Sequence, residues 1–148
     1  ALHMKYVSTG ASATLPQLAV AEFVAKGHFE RHLRAVSRQY QRQRDIMISW
    51  VQRYFPKGSG ISYPQGGFLL WVELPADVDC VRLNERLAQH AIHVAPGSLF
   101  SASGKFRQCL RLNYAFTLTP AMEEAVRTVG ELAREMLSEV RESSLAMK

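Results

Sequence analysis

Apolar residues recur in steps of four and three at Phe29, Leu33, Val36, Tyr40, Met47, Trp50 and Tyr54, with Gln43 as the one polar break. That spacing predicts a long amphipathic helix over residues 29–55, with its arginines and glutamines turned away from the apolar stripe. Pro56, Gly58 and Gly60 end it. A shorter helix is expected over 14–26. Thr14 and Gln17 have capping-box spacing, Pro16 falls in the first turn where its missing N–H is harmless, and Gly27 marks the stop. A short strand is expected at 61–63. Residues 67–74 (Gly-Phe-Leu-Leu-Trp-Val-Glu-Leu) are apolar on nearly both faces, as in a covered central strand, and Pro64-Gln65-Gly66-Gly67 supplies the turn before it.

Asp79 is placed to cap a helix over 80–90 that buries Val81, Leu83 and Leu87. A short strand at 92–95 runs into Pro96-Gly97. Residues 106–116 alternate. Phe106, Gln108, Leu110, Leu112, Tyr114 and Phe116 fall on one face, and Arg107, Cys109, Arg111, Asn113 and Ala115 on the other. A final helix starts at Thr119-Pro120, with Glu123 and Glu124 in its early turns. It should bury Val126, Val129, Leu132, Ala133, Met136 and Leu137 and end near Val140, leaving a frayed tail over 142–148.

The element order is helix, long helix, two strands, helix, two strands, helix. This predicts an α/β (α+β sandwich) fold: a small mixed β-sheet covered by helices, without internal repeat or linker. A length of 148 residues suits one domain, and 47% hydrophobic with 21% charged residues argues against disorder. Cys80 and Cys109 are too few and too far apart for a disulfide framework, which favours a reducing cytoplasm. The histidines show no metal-binding spacing, and neither a membrane span nor a signal peptide is visible. The opening Ala-Leu-His-Met lacks an initiator at position 1 and suggests a fragment of a longer protein. The net charge is +5, and much of it lies on Arg31, Arg34, Arg38, Arg42, Arg44 and Arg53. Two readings of that cluster stand: a solvated helix face, or a stand-alone module binding nucleic acid through the Arg34/Arg38/Arg42 stripe.

Three stretches together resemble the small domain of class I and II aminotransferases of fold type I. They are Tyr63-Pro64-Gln65-Gly66-Gly67-Phe68 with Trp71, His93-Val94-Ala95-Pro96-Gly97-Ser98-Leu99-Phe100, and Leu110-Arg111-Leu112-Asn113-Tyr114-Ala115. The opening Lys5-Tyr6-Val7-Ser8-Thr9 and the tract Leu15–Phe23 resemble the segment C-terminal to the cofactor lysine in that family. The tract His32-Leu33-Arg34, with Tyr40 and Arg44-Asp45, resembles the MocR branch of GntR-type regulators, which fuse a winged helix-turn-helix to an aminotransferase-like body.

The resemblance implies a C-terminal small domain over 1–148, with 1–28 a connecting segment from a large domain. It implies a parent that holds pyridoxal 5'-phosphate as a lysine imine, forms homodimers, and contacts DNA through a domain N-terminal to this one. Arg111 matches the family's arginine that grips the carboxylate of an amino-acid-like substrate or effector, and a guanidinium fork on a stiff strand suits that task. The loop Ala95–Phe100 would shape the substrate pocket, and Ser8 and Thr9 would approach a neighbouring subunit's cofactor. Cys109, on the Arg111 face, reads as a packing residue. None of Lys5, Lys26, Lys57, Lys105 and Lys148 has the Ser-x-x-Lys context of the imine lysine. No cofactor and no catalytic residue are therefore expected in this chain itself.

Overall fold

In a computed structural model the described residues are 13–146, with side chains described through Glu142 and Ser143. The chain divides into two compact units between Arg38 and Gln39. Ser8, Thr9, Lys5 and Lys148 lie outside the described residues.

The first unit holds helix α1 (Thr14–Ala25) and the start of α2 (His28–Tyr54). The N-cap of α1 is Ala13, which makes no side-chain cap. Gly27 has φ +70, a conformation glycine adopts without penalty, and it separates the two helices. α1 buries none of its residues, and Leu15 is 79% exposed.

The second unit contains the rest of α2, strands β1 (Gly60–Ile61) and β2 (Leu69–Glu73), and helix α3 (Cys80–Ala88). Strand β3 (Ala95–Pro96), a 3-10 turn (Gly97–Phe100), strand β4 (Cys109–Asn113) and helix α4 (Pro120–Ala146) complete it. The predicted α/β class and element order hold. The sheet order is β1-β2-β4-β3 and every pairing is antiparallel. The mixed sheet expected from the sequence is thus corrected, because apolar runs identify strands but do not set their relative direction.

Alternation along the two central strands separates two faces. Leu70 and Val72 of β2 join Leu110 and Leu112 of β4 in the core, together with Met47, Ile48 and Val51 of α2, Leu83 and Leu87 of α3, and Val126, Val129, Ala133 and Met136 of α4. At roughly 1.5–3 kcal/mol for each fully buried aliphatic side chain, this cluster is the main source of the unit's stability. Gln43 is not a polar break. It is buried on the stripe and donates from Nε2 to the Phe116 carbonyl at 2.6 Å, while its Oε1 has no partner among the described residues. Asp79 caps α3 as expected, with Oδ1 accepting from the Val81 and Arg82 amides. Thr119 Oγ1 accepts from the Met122 amide at the start of α4, which runs past the predicted end near Val140. Among the described residues no helix is long and apolar enough to cross a membrane.

Candidate functional site

The non-core face of the sheet carries Arg111. In register it lies between Trp71 of β2 and Ala95 of β3, so one row across the sheet places an indole on one side and only a methyl group on the other. A cavity of about 350 Å³ includes Arg111 in its lining, together with His93, Val94 and Asn113 and with Met47, Leu112, Val126 and Val129 of the core side. Most of the lining is aliphatic, and Arg111 is its one strong base. His93 and Asn113, to which the sequence assigned no site role, add polar groups to the same lining.

Arg111 is distinguished by what it lacks. Of the described arginines, only Arg44, Arg86 and Arg111 are partly buried. Arg44 pairs with Asp45 and also donates to the Pro64 carbonyl at 3.0 Å. Arg86 makes a two-pronged pair with Glu139 at 2.6 and 2.9 Å. Arg111 has neither a carboxylate nor a carbonyl partner among the described residues, and its Cζ lies 4.2 Å from the centroid of the Phe100 ring. A partly desolvated guanidinium without an anion keeps its planar N–H edge available to a ligand carboxylate or phosphate.

The rings around it form one cluster. Trp71 meets Phe100 edge-on at 5.9 Å and Phe106 at 5.7 Å. Alternation assigns Phe106 to the face of Leu110 and Leu112. In the structure the strand begins only at Cys109, and Phe106 has φ 64, so its ring meets Trp71 on the opposite face. A left-handed backbone at a bulky residue is a tertiary feature that a period-two pattern cannot announce. Cys109 lies on the Arg111 face, as expected, and is buried; burial pushes its thiol pKa up, as befits a packing residue. The 3-10 turn of the loop Ala95–Phe100 brings Phe100 to Arg111.

Comparison with known proteins places these features in context. The family described as Aminotransferase class I and II matches residues 2–129. The uncharacterized HTH-type transcriptional regulator YjiR of Escherichia coli is 45% identical over 130 residues, which cover 88% of this chain and 28% of that protein. The 2-aminoadipate transaminase of Thermus thermophilus is 32% identical over 124 residues, covering 84% of this chain and 31% of the enzyme. Among solved structures, an α-aminoadipate aminotransferase of Thermus thermophilus, complexed with N-(5'-phosphopyridoxyl)-L-leucine, superposes with a TM-score of 0.81. It is 29% identical, over 92% of this chain and 35% of that one. The chain thus spans about a third or less of the length of these relatives.

Proposed function

Because the chain belongs to the class I and II aminotransferase family, we propose that it is the C-terminal small domain of a larger pyridoxal-phosphate-dependent, aminotransferase-like protein in which Arg111 grips the carboxylate of an amino-acid-like ligand. The observation that carries this reading is the partly buried guanidinium with no anion of its own. The 45% identity to a helix-turn-helix regulator exceeds the 32% identity to a transaminase. This favours a GntR-type regulator of the MocR branch, in which the ligand is an effector. In that reading residues 1–28 connect to the large domain, and the parent is a cytoplasmic homodimer that meets DNA through an N-terminal domain.

Within the site, Arg111 supplies charge and orientation. Its fork matches two carboxylate oxygens, and β4, central in the sheet, is a stiff mount for it. Of the described lysines in the second unit, Lys57 and Lys105 are exposed and neither lines the cavity that includes Arg111. In this reading the lysine that holds the cofactor belongs to the rest of the parent.

The test is Arg111→Ala in the full-length protein, titrated with amino acids while the cofactor's absorption band is followed. Affinity should fall by about 2–5 kcal/mol, on the order of thirty- to several-thousand-fold, with the unliganded band unchanged. Unaltered affinity would remove Arg111 from the site.

A further inference from the structure

We infer that Phe100 is a positioning residue for the Arg111 guanidinium, a role that rests on the carboxylate-anchor reading of Arg111. The contact is direct: Cζ of Arg111 lies 4.2 Å from the ring centroid, well inside the range of cation–π attraction. An aromatic ring suits this task better than an acid. A carboxylate at that place would hold the arginine by occupying the N–H donors that the ligand needs. A ring takes only the flat face of the cation and leaves the donor edge free.

The ring is itself held. Trp71 meets it edge-on at 5.9 Å and is braced in turn by Phe106 at 5.7 Å, and Trp71 stands directly opposite Arg111 in the β2–β4 register. The turn that carries Phe100 is pinned to β4 through Gly97. A β-carbon at that glycine would stand 2.5 Å from the Phe106 carbonyl oxygen and 2.8 Å from Cys109 Cβ. Only glycine lets the backbone approach so closely. The chain of support therefore runs from Gly97 to the turn, from the turn to Phe100, and from Phe100 to Arg111. A long, flexible side chain that is held before the ligand arrives loses less rotamer freedom on binding.

Phe100 is 44% exposed, so its replacement should leave the fold intact. The experiment uses the full-length protein and acetate as the carboxylate probe. Phenylglyoxal labelling of each arginine is read by peptide mass spectrometry, and the exposed Arg82 serves as internal reference. Acetate should protect Arg111 and not Arg82. In Phe100→Leu the half-protecting acetate concentration should rise about threefold to tenfold, and in Phe100→Tyr it should stay within about twofold. Protection of Phe100→Leu at the unaltered concentration overturns the positioning role while the anchor reading stands. A shift in Phe100→Tyr as large as in Phe100→Leu also overturns it, because the ring would then not be what matters. Absence of acetate protection in the unsubstituted protein sinks the anchor reading itself.

Discussion

Gly130 offers the sharpest test of how the helices meet. It is buried in the middle of α4, where glycine normally costs a helix about 1 kcal/mol relative to alanine. Propensity alone therefore predicts that Gly130→Ala stabilises the chain. The packing predicts the reverse. A β-carbon there would stand 2.1 Å from the Tyr54 carbonyl oxygen, 2.7 Å from its carbon and 3.2 Å from Phe55 Cδ1. The nearest atoms are backbone at the end of α2, so no side-chain rotation relieves the overlap. The helices would have to separate by roughly 1 Å or more to restore ordinary contact. That separation also stretches the bond from Arg134 to the Tyr54 carbonyl, now 3.2 Å. Overpacking of this kind costs about 1–3 kcal/mol, which exceeds the propensity gain once the stretched bond, about 1 kcal/mol, is added. A net loss of about 1–3 kcal/mol corresponds to a Tm lower by roughly 3–10 °C for a chain of this size. Thermal unfolding monitored by far-ultraviolet circular dichroism measures it, with Glu131→Ala on the exposed side of α4 as a control expected within about 0.5 kcal/mol. A Gly130→Ala variant that melts at or above the parent temperature would refute the close approach of α2 and α4.

Asp79→Ala removes the cap of α3 and the partner of Arg107, and should lower stability by about 0.5–2 kcal/mol in urea unfolding. Its pH dependence has a definite sign. Burial by itself raises the Asp79 pKa, but the Arg107 pair and the Val81 and Arg82 amides outweigh burial and hold it below the usual value. The contribution is therefore complete above the ordinary aspartate pKa and is lost as the pH falls through the depressed one, so the two proteins should converge in strong acid. A gap that persists there would refute the assignment. Burial pushes the Cys80 thiol up to about 12 and the Cys109 thiol upward too, so a thiol-specific dye at neutral pH should label both only after denaturation. Rapid labelling of the native chain would contradict the buried placement.

The elements legible in the sequence are those whose burial repeats with the period of their own backbone. The α2 stripe through Met47, the α4 stripe through Val126, Val129, Ala133 and Met136, and the opposition of Leu110 and Leu112 to Arg111 all arise from local geometry. Parity misplaces Phe106 because its face depends on a positive φ. Periodicity misreads Gln43 because one hydrogen bond to the Phe116 carbonyl lets a polar residue occupy a core position. The site divides in the same way. Which face bears the guanidinium is a strand-level fact, visible in a single line of residues. What surrounds it is not, because Trp71 of β2 and Phe100 of the 3-10 turn come from separate segments that only the antiparallel register and the Gly97 contact bring together.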